Sequence, residues 1–197
     1  MYNSIDSWKN KNVFEKQYAL NYKQLADNYP PHWVYIIDII QKYPAQKILD
    51  IGCGCGAMYK LCKKHFPLME YTGIDYASEA IEVAKSVWNY DKFYVMDYKD
   101  LTTEFISNYE LIHLGALLDV LPNGDEALDF ILSLGPRSVI ISRVKLTEKP
   151  SFYSTYTAYD EITTYAYYHN IYDLLDLFKK HNYSFDAVDD HFYLYKG

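Results

Sequence analysis

This 197-residue chain lacks three things that would have assigned it to a class at once. No apolar run approaches the ~20 residues a membrane helix needs, and the polar start MYNSIDSWKNKN carries no secretory signal, so a cytoplasmic protein without a membrane span is expected. Cysteine is scarce. Cys53, Cys55 and Cys62 are an odd number, two of them in one glycine turn, and make no disulfide framework. A zinc site would need a fourth ligand and a geometry such a turn does not supply, so small buried thiols are expected and no metal. Basic charge is also short. The net charge is −7, and after residue 150 three lysines face seven acids. No basic track is available for a phosphate backbone, which excludes a generic nucleic-acid surface.

Half of the residues are apolar and 18% aromatic, which describes one globular domain with a proper core. Tyrosine is the excess, at 23 residues. Each brings a large contact area with a polar tip, as useful in a substrate pocket as at the edge of a core. Glycine is limited to eight, and three of these fall at Gly52, Gly54 and Gly56. The chain is organised around that cluster. Ile48-Leu49-Asp50-Ile51 reads as a short buried strand. Met58 to Phe66 has helical spacing and is closed by Pro67. Strand, glycine turn, helix is the ligand-site geometry of a doubly wound α/β sheet.

The glycines alone leave the ligand open, because G-x-G-x-x-G/A, a dinucleotide pattern, also fits Gly52, Gly54 and Ala57. Asp50 bears on the choice. A carboxylate just before the turn is a poor neighbour for a pyrophosphate and a good one for a cation. Asp50-Ile51-Gly52-Cys53-Gly54-Cys55-Gly56 resembles, residue for residue, the D-x-G-x-G-x-G turn of class I S-adenosylmethionine-dependent methyltransferases. The resemblance implies a Rossmann-like α/β fold. Its mostly parallel seven-stranded sheet has helices on both faces and a C-terminal antiparallel hairpin, with S-adenosylmethionine as cofactor. It covers residue 45 to the end.

Taken in order, residues 1–44 read as an N-terminal helical segment capping the sheet. Phe14, Tyr18, Tyr22 and Leu25 mark one helix, Pro30-Pro31 breaks it, and Trp33, Ile36, Ile37 and Ile40 mark another. In the family such a helix closes over the cofactor, which makes Trp8 or Tyr18 possible contacts. Residues 45–197 read as the methyltransferase domain. Tyr71 to Asp75 is the next strand, and Asp75 lies 19 positions after Gly56, the interval at which an acid reaches a ribose. Tyr76 is placed to lie on the adenine. Ser78 to Trp88 is a helix with Ser78 as its cap. Phe93 to Met96 is a strand ending at Asp97 and Tyr98. In the family an acid at this point receives the adenine amino group; the simpler role for Asp97 is to cap a helix from Tyr98 to Ile106.

Tyr109 to Gly115 is the fourth strand, Asp125 to Leu134 a helix, Ser138 to Val144 the fifth strand and Ile171 to Lys180 the last helix. A hairpin, Tyr183–Val188 with His191–Tyr195, closes the chain. Asp50, Asp75, Asp97 and Asp119 then all sit at the carboxyl ends of strands, the edge where open α/β sheets bind ligands. Four acids on one rim call for something cationic among them. The expected cofactor site is therefore Asp50, Gly52, Cys53, Gly54, Gly56, Asp75, Tyr76, Asp97, Tyr98 and Gly115.

No general base stands out. His113, inside the fourth strand, reads as a core histidine before it reads as a base. Asp119 falls where metal-dependent catechol-type enzymes place a ligand, but Arg143 and Lys145 stand where their further acids would be, so no metal dependence is expected. Arg143 is suited to clamp an anionic group on the acceptor, or to pair with a rim acid. Residues 146–170, rich in tyrosine (Tyr153 and Tyr156 among them), read as a long insertion acting as a lid or binding segment. Gly115–Leu118, Ser142-Arg143 and Lys149–Phe152 faintly resemble bacterial methyltransferases found with surface-polysaccharide genes, which implies a saccharide acceptor. The leading expectation is metal-independent methyl transfer to a small-molecule or sugar acceptor, at a hydroxyl. The alternatives are a non-catalytic S-adenosylmethionine-binding sensor or subunit, and a nicotinamide-dependent oxidoreductase.

Overall fold

The computed structural model describes residues 5–197. Two helices lead, α1 (Lys11–Ala26) and α2 (Pro31–Lys42). The Asn10 side chain accepts the Asn12 N–H to start α1, and Pro31 starts α2 at the position where a missing N–H costs nothing. An alternating series follows: β1 (Lys47–Ile51), α3 (Ala57–His65), β2 (Glu70–Asp75), α4 (Ser78–Trp88), β3 (Phe93–Val95), α5 (Thr103–Ile106), β4 (Leu111–Gly115), α6 (Gly124–Ser133) and β5 (Ser138–Ser142). The chain closes with β6 (Lys145–Thr147), β7 (Phe152–Ala158), β8 (Ile162–Asn170), α7 (Ile171–Lys180), β9 (Ser184–Val188) and β10 (His191–Tyr195).

The main sheet runs β3-β2-β1-β4-β5-β10-β9. Neighbours from β3 to β5 pair in parallel, while β10 pairs antiparallel with both β5 and β9. The expected seven strands and terminal hairpin are present. Chain order reverses at β1, whose neighbours are β2 on one side and β4 on the other, so the crevice opens above the C-terminal end of β1.

The period-two alternation of β1 divides the core. Ile48 faces a layer built with Ile36 and Ile40 of α2, Leu61 of α3 and Ala84 of α4. Leu49 and Ile51 face the opposite layer with Leu128 and Ile131 of α6 and Leu174 and Phe178 of α7. Fully burying each large apolar side chain contributes about 1.5–3 kcal/mol, so these two layers hold the rim in place.

Residues 146–170 are not an irregular loop. They form most of a second sheet, ordered β6-β8-β7, in which β7 and β8 pair antiparallel from Phe152↔Tyr168 to Ala158↔Ile162. Alternating tyrosine and threonine favours strands. The turn uses Tyr159 and Asp160, at φ 54° and 57°, rather than the glycine or asparagine that would announce it. The hairpin tip is fastened to the N-terminal segment. Trp8 Nε1 donates to Thr164 Oγ1 (2.8 Å), Lys16 bonds the Tyr159 carbonyl (3.1 Å), and Val13 packs on Ala158 and Ile162.

Asn170 joins this small sheet to α7. Its Oδ1 accepts the N–H groups of Tyr172 (2.9 Å) and Asp173 (3.0 Å), and its Nδ2 donates to the Lys149 carbonyl (2.9 Å). Asn170→Ala removes the cap and strands a carbonyl, and should cost about 1–2 kcal/mol in urea unfolding. Asn170→Asp, which keeps the cap, should cost less. Equal stability of all three chains would show that the cap is idle.

Candidate functional site

The glycine turn is saturated with its own hydrogen bonds. Gly52 and Cys53 N–H both donate to the Ile74 carbonyl (2.8 and 2.9 Å), and Gly56 N–H donates to the Cys53 carbonyl (2.9 Å). Gly54 N–H donates to Asp75 Oδ2 (3.0 Å) and Cys55 N–H to Gln17 Oε1 (2.8 Å). No N–H from Gly52 to Gly56 is left to cradle a pyrophosphate. The turn instead offers close approach: Gly54 sits at φ 53°, and a Cβ there would collide with Gln17 Oε1.

Beside the turn lies a cavity of about 380 Å³. One end is above β2 and β3, lined by Asp75, Tyr76, Asp97 and Tyr98. The other is above β4 and β5, lined by Gly115, Asp119 and Arg143. Trp8 and Gln17 roof it from the N-terminal segment, and Tyr156 and Tyr159 from the β7–β8 hairpin. Tyr159 hydrogen-bonds the Gln17 side chain, so hairpin tip, α1 and glycine turn are linked in series.

Asp75 is the central charge. Its Oδ1 accepts the Ala77 N–H (3.0 Å) while Oδ2 holds Gly54, and burial pushes its carboxyl up to about 6 against the pull of those two bonds. A carboxylate has room for further donors beyond these two. This bond from Ala77, rather than the expected Ser78 side-chain cap, opens α4; no side chain caps it. Asp97 lines the cavity and accepts the Lys99 N–H (3.0 Å), but it caps only a short 3-10 turn at Tyr98–Asp100; the expected helix from Tyr98 to Ile106 is broken there, and Thr102 caps α5 separately. Asp119 is 2% exposed. Its Oδ2 receives Lys145 Nζ (3.1 Å), its Oδ1 has no partner among the described residues, and burial raises its carboxyl. Arg143, at φ 65° just past β5, is exposed and makes no salt bridge among the described residues.

Several expected residues stand elsewhere. Asp50 shares the face of Ile48, not the crevice. It is 3% exposed, takes the Tyr71 hydroxyl on Oδ2 (2.6 Å) and meets His113 Nδ1 through Oδ1 (2.7 Å). It braces the turn from below rather than facing a ligand. His113 is enclosed by that bond and by Ser142 Oγ (3.4 Å), away from the lining, and is a core histidine. Cys53 and Gly56 belong to the turn but do not line the cavity, and a Cβ at Gly56 would run into Phe93 and Trp88. Burial raises the Cys53 thiol and takes Cys55 to about 12, so both are inert core thiols. Tyr153 is exposed outside the cavity, and Tyr18 packs on Trp88 (5.3 Å). Gln17, Met96 and Leu117 line the cavity unforeseen, and Tyr159 lines it from the tyrosine-rich insertion. Gln17 had one faint signal, a polar side chain three positions from Phe14 on a face otherwise packed.

A family model described as a methyltransferase domain matches residues 32–188. The chain belongs to that family. A stretch of 66 residues is 30% identical to the demethylmenaquinone methyltransferase of Thermotoga maritima, covering 34% of this chain and 29% of that protein. Another, of 76 residues, is 29% identical to the malonyl-[acyl-carrier protein] O-methyltransferase of Brevibacillus brevis, covering 39% and 26%. The matches thus span less than a third of either relative. Among solved structures, S-adenosylmethionine-bound human N-acetylserotonin methyltransferase superposes with a TM-score of 0.66 at 16% identity, over 96% of this chain and 57% of that one. The amino pentose methyltransferase of calicheamicin biosynthesis from Micromonospora echinaspora gives 0.66 at 11%, over 91% and 96%. At these identities the likeness is one of fold.

The site of this methyltransferase-domain chain suits S-adenosylmethionine as cofactor. Asp75 and Asp97 offer acceptors for hydroxyl and amino groups, and Gly52 and Gly54 let a chain approach the backbone. S-adenosylmethionine supplies an electrophilic methyl carbon; the protein supplies alignment and water exclusion.

Asp75 sets a pH dependence. Ligand hydroxyls require its ionised form, and protonation near pH 6 removes that acceptor. S-adenosylhomocysteine affinity should be flat above pH 7 and fall by up to about tenfold per unit below pH 6. Asp75→Asn should bind more weakly with that dependence gone. Calorimetry at pH 5, 6 and 7.5 reads both, and a pH-independent wild type would place the ribose away from Asp75.

Proposed function

We propose that this methyltransferase acts without a metal on a small-molecule or saccharide acceptor, at a hydroxyl, in the cytoplasm. The reading is carried by one observation: a single cavity runs from the acids above β2 and β3 to Arg143 above β5, whose guanidinium makes no salt bridge among the described residues. A pocket for the cofactor alone would end at the turn. Here the second end has its own charge, and Tyr156 and Tyr159 bring flat aromatic surface suited to a planar or sugar-ring acceptor. A fork of five donors suits an anionic group on it. The cation beside Asp119 is Lys145, which supports catalysis without a divalent ion. All three cysteines are free and no described helix is long and apolar enough to cross a membrane, which supports a cytoplasmic setting.

The extended cavity also favours catalysis over a sensor role. Tritiated S-adenosylmethionine, incubated with a whole cell extract, should give a labelled small-molecule product that depends on this protein. Label confined to the macromolecular fraction, or none, would end the reading. Arg143→Met should lower turnover of that product by about a hundredfold or more while leaving S-adenosylhomocysteine affinity within about fivefold.

A further inference from the structure

Asp119 is where the cavity's chemistry is unfinished. A buried carboxylate oxygen without a donor is costly, and native structures seldom keep one except for function. Lys145, placed by the pairing of β6 with β8, holds Oδ2 and so fixes which oxygen remains open. Because Lys145 balances the charge, the open Oδ1 calls for a hydrogen-bond donor rather than another cation. Arg143 lines the same end and is close enough to pull the Asp119 carboxyl downward. Its N–H donates to His191 Nδ1 (3.2 Å), which pins its left-handed backbone. Its charge is unbalanced by any salt bridge among the described residues, so it calls for an anion.

We propose that the methyl acceptor is a small hydroxylated or aminated anion held at two points, its anionic group on Arg143 and the hydrogen of its nucleophile on Asp119 Oδ1; this rests on the reading of the cavity as a methyl-transfer site. In the step, the acceptor's lone pair forms the new bond to the methyl carbon. The carbon–sulfur electron pair stays on sulfur, and the acceptor's proton passes to Asp119 Oδ1. Asp119 thereby touches the reacting group, whereas Lys145 is a positioning residue that orients it.

The test is a binding comparison on protein saturated with S-adenosylhomocysteine, read by calorimetry. Glucose 6-phosphate and glucuronate carry both features, propyl phosphate only the anion, and methyl glucoside only the hydroxyls. At least one two-feature probe should bind about tenfold or more tighter than either single-feature probe. Asp119→Ala should erase the advantage over propyl phosphate, since no carboxylate oxygen then remains to accept the acceptor's hydrogen. Arg143→Met should erase the advantage over methyl glucoside. Two-feature probes that bind no tighter than single-feature ones overturn the proposal without any variant having to fold. So does an Asp119→Ala chain with its preference intact. Failure of S-adenosylhomocysteine itself to bind would instead remove the methyl-transfer reading, and the proposal with it.

Discussion

Everything around the crevice depends on how one buried carboxylate divides its hydrogen bonds. Asp75 ends β2, fastens the glycine turn through Gly54 and starts α4 through Ala77. Burial would neutralise it, and the two backbone donors keep it near the point of ionisation. The ligand therefore meets an acceptor already aimed by the fold. One of these bonds takes the Gly54 N–H, and the Ile74 and Cys53 carbonyls and Gln17 take the turn's other N–H groups, so the bonding that builds the site also narrows which cofactor it takes.

Across the sheet the arrangement inverts. Above β4 and β5 the groups are incompletely paired: Asp119 with one open oxygen, and Arg143 with none of the rim acids on it. The roof joins the two ends physically. The hairpin tip carrying Tyr159 reaches Gln17, which in turn holds Cys55 of the turn.

Much of the fold was legible because its strands announce themselves. Ile48-Leu49, Tyr71 to Asp75 and Ser138 to Ser142 are short apolar runs stopped by glycine, acid or charge, and buried parallel strands read that way. Asp75 could be placed from its spacing to the glycine turn; Asp75 and Gly115 end β2 and β4, and Tyr76, Asp97 and Tyr98 follow strand ends, which is why all five line the rim. Asp50 could not be placed, because its position in the motif does not reveal which face of β1 it occupies. Ile48 sets that face, and the neighbours that claim the carboxylate, Tyr71 and His113, come from adjacent strands. The second sheet was hidden for a related reason. Its turn residues, Tyr159 and Asp160, take left-handed angles without the usual turn chemistry, and Gln17 matters only through contacts far along the chain.

The central claim is that a saturated glycine turn beside Asp75 selects S-adenosyl sulfur ligands over a pyrophosphate. Parallel calorimetric titrations with S-adenosylhomocysteine and NAD test it most directly. The expected result is saturable binding of S-adenosylhomocysteine, one per chain, and no heat from NAD at the same concentrations. Saturable NAD binding with S-adenosylhomocysteine silent would contradict it, because the turn would then have to release N–H groups that the structure shows committed to Asp75, Gln17 and the Ile74 carbonyl.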